Sequence, residues 1–242
     1  MYNIIKYMVA VTYLLLGVNA DELSFGEIKS LCLYKVQAKI IIKEENVKGT
    51  KVTVSKKNNY HESLTYTKQS KNLTIGGATV PSIKQQPDKV DDLPKITIYI
   101  PKGSECNLHI SEIMGYISIE KIKSELLDLK LELEGIEAAV KDSEFETLNF
   151  SSTAKSTASI QNVKSKTISC IITSCKDILF DDKTEVEDEL HIKKSGSGSF
   201  NFFGRANKIN TEIVAPAGRS KTVLALNDLQ DVVLCKPNKR RK

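Results

Sequence analysis

The sequence has no Trp and little Arg, Gly or Pro, and each scarcity excludes a class of protein. Its 242 residues include 12 Gly and 6 Pro, too few for a collagen-like or low-complexity chain. Arg occurs only at Arg205 and Arg219 before a basic C-terminal tail, and the net charge of +5 is well short of a nucleic-acid-binding footprint. With 40% hydrophobic and 27% charged residues, the chain is globular material that buries a real core.

One long apolar run is present, at the start of the chain. The stretch MYNIIKYMVAVTYLLLGVNA, residues 1–20, carries one Lys, an apolar run from Tyr7 to Val18, and small residues at Val18 and Ala20, the spacing that signal peptidase reads. The run is shorter than the ~20 residues that span a bilayer. We predict a signal peptide over 1–20, with no transmembrane span after its removal and export to the periplasm, cell surface or extracellular space. The alternative is an uncleaved anchor.

Five cysteines are an odd number for an oxidising compartment. They are Cys32, Cys106, Cys170, Cys175 and Cys235, and their spacings fit no zinc pattern. We predict small buried side chains with at most one disulfide, whose pairing the sequence leaves open. No metal or cofactor is predicted.

Polar and turn residues divide the chain into parts. Short alternating runs such as AKIIIKEE and TKVTVSKK lie between residues 21 and 77, and a Pro-containing polar stretch fills 76–95. Alternation with Val, Ile and Thr predicts strands. We therefore predict an N-terminal β leader and loop over 21–95, which caps a repeat domain over 96–236, and a basic tail over 237–242.

From residue 96 onward, pairs of apolar residues recur about every twenty residues. The first series is Leu108/Ile110, Leu129/Leu131, Leu148/Phe150, Ile168/Cys170, Leu190/Ile192, Ile209 and Val232/Leu234, and the second is Ile117/Ile119, Ala138/Val140, Ala158/Ile160, Ile178/Phe180, Phe200/Phe202 and Val223/Ala225. A sustained period of this size indicates a solenoid, in which stacked units share one core. The sequence predicts an all-β solenoid with about 20 residues per coil and an N-terminal strand cap.

One segment also fits a helix. Residues 120–141 place Ile122, Leu126, Leu129, Leu133, Ile136 and Val140 at helical spacing, and their composition favours a helix. The same stretch has Leu127, Leu129, Leu131 and Leu133 at the period of a strand. Gly135 would cost a helix ~1 kcal/mol relative to Ala, and the segment is in phase with the repeat on both sides. We therefore predict strands.

The stretch ITIYIPKGSECNLHISEIMGYISIEKI, residues 96–122, resembles the head GIN domain family of auto-transporter adhesins and related β-solenoid domains of unknown function. The similarity rests on pattern and spacing and covers about residues 28–235. It implies a right-handed parallel β-solenoid, exported by bacteria, with a β leader. It implies no catalytic residues. The chain departs from the usual pattern in having few corner glycines and more Lys and Cys.

The candidate site is a polar strip on the outer face of the repeat. His109, Lys130, Asn149, Ser169 and His191 are predicted to share one outward column, with the two histidines four coils and ~19 Å apart. That separation excludes a shared metal. The simpler interpretation is a solvated face, and the functional interpretation is a hydrogen-bonding strip for an envelope glycan or a host or surface protein. Asp181 and Asp182 adjoin each other at a strand end and are interpreted as surface charge.

The sequence thus predicts an exported, non-catalytic β-solenoid that acts as an adhesin-like binding or structural module of the cell envelope. The alternative is a carbohydrate-active β-helix enzyme, which would gather carboxylates and basic residues from adjacent coils into a groove. Short connectors and scarce Arg favour the binding module. Nucleic acid is not predicted as a partner, and the sequence leaves the oligomeric state open.

Overall fold

The computed structural model of the chain describes residues 11–13, 22–55, 64–77, 93–214, 220–224 and 231–235. None of these residues is helical, which confirms the predicted all-β class. The strands are β1 (Val11–Tyr13), β2 (Glu22–Gly26), β3 (Ser30–Tyr34), β4 (Gln37–Glu45), β5 (Thr50–Ser55), β6 (Leu64–Gln69), β7 (Asn72–Gly77), β8 (Lys95–Pro101), β9 (Asn107–Ser111), β10 (Met114–Glu120), β11 (Lys123–Leu131), β12 (Glu137–Lys141), β13 (Glu144–Ser152), β14 (Thr157–Gln161), β15 (Lys164–Ile172), β16 (Asp177–Phe180), β17 (Glu185–Lys194), β18 (Gly198–Phe202), β19 (Arg205–Ile213), β20 (Ser220–Leu224) and β21 (Asp231–Cys235). Apart from β1, the predicted signal peptide lies outside the described residues, and so does the basic tail.

The strands form two sheets. Sheet 1 has the order β1-β6-β7-β3-β9-β11-β13-β15-β17-β19-β21, and sheet 2 has the order β2-β5-β8-β4-β10-β12-β14-β16-β18-β20. From β9 onward, odd strands belong to sheet 1 and even strands to sheet 2, and neighbours within a sheet are parallel. Each turn of the chain therefore adds one strand to each sheet. This is the predicted parallel β-solenoid.

Buried columns of apolar side chains from both sheets form the core. Sheet 1 contributes Leu108, Leu127, Leu148, Ile168, Leu190 and Ile209, which are paired in register at steps of 19 to 22 residues. Sheet 2 contributes Ile117, Ala138, Ala158, Ile178 and Phe200 in the same way. All of them are buried. Side chains that alternate in and out along each strand thus produce the period seen in the sequence.

Two predicted pairs are wrong in register. Leu127 and Leu129, rather than Leu129 and Leu131, lie beside Leu108 and Ile110. The error arises because Leu127, Leu129 and Leu131 are all buried, so a shift of two residues keeps the same face inward. At the C-terminal end, Thr222 and Leu224 lie beside Phe200 and Phe202, whereas the sequence predicted the Val223 pair.

The contested segment 120–141 is β11 and β12, so the strand prediction is confirmed and the helix alternative is wrong. A turn between the two strands contains Gly135 at φ 75°, a conformation that L side chains rarely adopt. β11 lies between β9 and β13 in sheet 1. Pairing and burial on both sides override the helical propensity of the segment.

Antiparallel strands close the N-terminal end, as predicted for the cap. In sheet 1, β6 is antiparallel to β7 and β1 to β6; in sheet 2, β5 is antiparallel to β8 and β2 to β5. The leader also supplies a coil of the solenoid, since β3 pairs in parallel with β9 and β4 with β10. β8 lies between β5 and β4. The predicted parts 21–95 and 96–236 therefore share both sheets.

Residues other than glycine make many of the corners. Left-handed φ values of 50° to 56° occur at Lys35, Ser70, Glu112, Lys121, Asp142 and Asn162. The corner N–H of Lys121 donates to Lys141 O at 3.0 Å, and that of Asp142 donates to Gln161 O at 3.1 Å. Bonds to the adjacent coil thus offset the cost of a side chain in this region. They explain how the fold forms with few corner glycines.

Among the described residues, one charged side chain lies in the core. Lys194 ends β17 in the buried row that contains Ile172, and it is only 1% exposed. Its Nζ donates to Gly196 O at 2.9 Å. Burial lowers the pKa of Lys194, because an apolar environment disfavours the charged amine.

Candidate functional site on the outer face of sheet 1

A bend in each long strand positions the outer face of sheet 1. In β13 and β15, two consecutive residues face outward, Glu146–Thr147 and Lys166–Thr167. At the second bend, the buried Ser165 hydroxyl donates to Thr167 O at 2.9 Å. Regular alternation restarts at Thr147 and Thr167. Every second residue of the following segments therefore points to solvent.

Four of the five residues of the predicted column lie in one row of sheet 1. His109, Asn149, Ser169 and His191 share one row, and Asp128 fills the position that was predicted for Lys130. Lys130 lies one row along, beside Ser151. The same register error in β11 that shifted the leucines caused this misplacement. The row continues to Asn210.

The two histidines are four strand steps apart, as predicted, which is ~19 Å at the usual strand spacing. Each lies beside a carboxylate. His109 Nδ1 lies 3.9 Å from Asp128 Oδ2, and Lys130 Nζ lies 3.5 Å from the same oxygen. Asp128 is therefore paired with Lys130 and lies next to His109, at the N-terminal margin of the row.

A second charged cluster forms at the C-terminal margin around Glu189. His191 Nε2 lies 2.6 Å from Glu189 Oε2, and Lys208 Nζ lies 2.5 Å from Oε1. Asn210 Nδ2 also donates to this carboxylate. The hydrogen bond from Lys208, together with His191, holds the pKa of Glu189 below its usual range. Sequence reasoning missed Glu189, because a bulge in β17 shifts the register there.

Between the two clusters lies a surface that we call the platform. It consists of Thr147, Asn149, Ser151, Thr167, Ser169 and Ile171, three outward residues from each of β13 and β15. The platform carries no charge. Within the described part of the chain, the five polar side chains make no side-chain hydrogen bond to protein. Ile171 is 48% exposed, unusual for a large apolar residue in the middle of a polar face.

A notch lies at the bends of β11 and β13. Its cavity of about 390 Å³ is lined by Glu105, Lys123, Ser124, Glu125, Glu144, Phe145, Glu146 and Thr147. Lys123 Nζ lies 2.9 Å from Glu144 Oε1, and this contact raises the pKa of Lys123. Glu146 pairs with Lys166 of the next coil. Two of the four carboxylates in the notch are thus held in ion pairs.

The cysteines and the Asp181 pair take structural positions. Cys32, Cys106, Cys170 and Cys175 are free thiols, and burial raises the pKa of Cys106 to about 12; the Cys235 side chain lies outside the described residues.

The Asp181 carboxylate accepts the corner N–H of Asn162 at 3.0 Å and the Thr184 hydroxyl at 2.8 Å. Asp181 therefore caps a corner. Among the described residues, no group of three or more His, Cys, Asp or Glu side chains is arranged to hold a metal ion.

Comparison with known proteins finds a similar fold in a protein of known structure. No protein-family profile matches the chain, and neither does any curated protein sequence. A candidate adhesin of known structure from Bacteroides fragilis is similar, with 12% identity and a TM-score of 0.62 over 88% of this chain and 95% of that one. A candidate lipid binding protein of known structure from Parabacteroides distasonis is less similar to this chain, with 16% identity and a TM-score of 0.39 over 88% of this chain and 95% of that one. The first similarity supports the fold alone.

Among the described residues, no helix is long and apolar enough to cross a membrane.

Proposed function

We propose that the protein is an exported, non-catalytic binding module that holds an extracellular polymer, an envelope glycan or a surface protein, on its platform. The observation that carries this proposal is the set of five side chains with unused hydrogen-bonding groups, side by side on β13 and β15. Strands paired on both sides hold such groups in fixed positions, which reduces the entropy cost of binding.

Two further observations support export and a surface role. Residues 1–20 have the pattern of a signal peptide. The similarity in fold to a candidate adhesin agrees with a cell-surface role. Membership of the head GIN domain family, suggested by residues 96–122, is part of this proposal.

The notch favours a second candidate, a carbohydrate-active enzyme, because it collects Glu105, Glu125, Glu144 and Glu146 around a cavity. A glycosidase acid needs a raised pKa beside an ionised partner. Glu144 and Glu146 instead each lie in an ion pair, with Lys123 and Lys166, so both carboxylates are already engaged by the protein. The binding module is therefore the better supported function.

Binding to immobilised envelope polysaccharide and envelope protein fractions tests the proposal. Asn149→Arg and Ser169→Arg each insert a long charged side chain into the platform, and we expect binding to fall more than 10-fold. Ser159→Arg is the matched control, because Ser159 lies on the outer face of β14 in sheet 2; it should bind like the natural protein. Equal binding by all variants would overturn the proposal. Release of new reducing ends, lost in Glu144→Gln, would establish the enzyme instead.

A further inference from the structure

We infer that the platform binds an uncharged, linear glycan that lies parallel to β13 and β15, between the two charged clusters. This inference rests on the proposed function and adds the class of ligand. The direction follows from the boundaries. Asp128 with Lys130 bounds the platform on the β11 side, and Glu189 bounds it on the β17 side. Along the strands, the platform is uncharged over ~13 Å for four residue steps, and the ion pair of Glu146 with Lys166 lies directly before its first residues.

The charge distribution selects a neutral ligand. Asp128 is paired with Lys130, and Glu189 is paired with Lys208. Neither cluster offers an uncompensated charge to an ionic polymer. A charged ligand on the platform would lose hydration without gaining an ion pair, at a net cost in free energy.

The hydrogen-bonding groups select a polyol rather than a peptide strand. An extended peptide binds a sheet through backbone groups at an exposed edge, but β13 and β15 lie inside sheet 1 with neighbours on both sides. What the platform presents instead is four hydroxyls, of Thr147, Ser151, Thr167 and Ser169, and the amide of Asn149. Each can both donate and accept. Sugar hydroxyls have the same dual capacity.

Ile171 supplies the remaining element of sugar recognition. It lies between Ser151 and Lys193 in its row and is half exposed. A pyranose ring has polar edges and an apolar C–H face, so an isolated apolar side chain among hydroxyls matches its surface. The platform has no aromatic ring for stacking, and each contact is therefore weak. We expect dissociation constants of about 1 mM for a single chain, corresponding to roughly −4 kcal/mol, and firm attachment only through many copies.

The test uses protein labelled with ¹³C at isoleucine methyl groups. Three probes are titrated: a panel of neutral linear oligosaccharides that differ in linkage, carboxymethylated oligosaccharides with the same backbones, and a Ser-rich extended peptide. We expect the Ile171 methyl signal to shift with at least one neutral oligosaccharide and to respond less to its carboxymethylated form and to the peptide. Asn149→Ala and Ser169→Ala should each weaken binding about 3- to 10-fold, the loss of one or two hydrogen bonds. Ser159→Ala on sheet 2 is the matched control and should not change it.

The outcomes separate the ligand class from the function. Tighter binding of the peptide or the carboxymethylated probes at Ile171 overturns the neutral glycan while the binding module stands. The neutral glycan is also overturned, and the binding module again stands, if no probe shifts the Ile171 signal while envelope fractions still bind the natural protein and Asn149→Arg still prevents that binding. If envelope binding is also insensitive to Asn149→Arg, both proposals fail.

Discussion

Lys193 and Lys194 are consecutive residues of β17 that point to opposite sides of sheet 1. Lys193 pairs outside with Glu212 at 3.0 Å, with more than half of its side chain exposed, whereas Lys194 is buried in the core. Replacing a buried charge by an apolar residue of similar length often stabilises a protein. We expect Lys194→Met to raise the free energy of unfolding by about 1 kcal/mol, measured by urea denaturation at pH 7.

The pH dependence of that change identifies its cause. Burial lowers the pKa of Lys194 in the folded state, so the unfolded chain binds more protons between the lowered pKa and the ordinary value of 10.5. Stability of the natural protein should therefore rise with pH in that interval, and Lys194→Met should remove this rise. Lys193→Met is the control and should change stability by less than about 0.5 kcal/mol. A less stable Lys194→Met would mean that the hydrogen bonds of the amine outweigh its burial.

Lys121 has a left-handed backbone at φ 56°. An L residue pays roughly 1–2 kcal/mol there, and glycine avoids this cost but loses more chain entropy on folding. We expect Lys121→Gly to raise stability by about 0.5 kcal/mol, measured by thermal unfolding. Glu137→Gly, in the extended strand β12, should instead destabilise the protein by about 0.5–1 kcal/mol. If the two variants shift in the same direction, the left-handed corner is not strained.

Three phenylalanines pack together in the C-terminal coils. The ring centroid of Phe180 lies 5.8 Å from that of Phe200 and 5.6 Å from that of Phe202. We expect Phe180→Ala to cost about 3–5 kcal/mol, and a double-mutant cycle of Phe180→Leu with Phe202→Leu to give a coupling of about 0.5–1.5 kcal/mol. A double-mutant cycle between Phe180 and Ile40, which lies on β4 several coils away, should show no coupling, because the changes in unfolding free energy of the two single variants should add. Coupling as large in the distant pair would contradict coil-by-coil packing.

Glu189 should contribute stability that acid removes. Its pKa is lowered in the folded state, chiefly by the hydrogen bond from Lys208. Its contribution is therefore fully present above the ordinary value of 4.5 and is lost as the pH falls through the lowered pKa. We expect Glu189→Gln to lower the midpoint of thermal unfolding at pH 7 in low salt, and the difference from the natural protein to shrink as the pH is lowered below 4.5. A difference that persists unchanged in acid or in 1 M NaCl would show that the ion pairs contribute nothing.

The period and the inward residues could be predicted from sequence because each coil repeats the same apolar alternation, as Leu148/Phe150 and Ile168/Cys170 show. The register within the leucine run could not be predicted from sequence, because Leu127, Leu129 and Leu131 fit the core equally well. That ambiguity concealed Asp128 and misplaced Lys130. Single residues that depart from the repeat pattern could not be predicted from sequence either. Alternation places position 194 inward, but it does not reveal the hydrogen bond to Gly196 O that accommodates the Lys194 amine there. Nor does it reveal the left-handed corner at Lys121, whose N–H bonds to Lys141 O of the adjacent coil.

The register also makes the number of coils adjustable. Glu144 and Lys164 hold equivalent positions on successive coils, so a copy of residues 144–163 inserted before Lys164 would begin and end in phase with its neighbours. The inserted segment would bring its own Thr, Asn and Ser at the positions of Thr147, Asn149 and Ser151. Gene duplication could therefore widen the hydroxyl-bearing surface one increment at a time, while the antiparallel strands at the N-terminal end stay as they are.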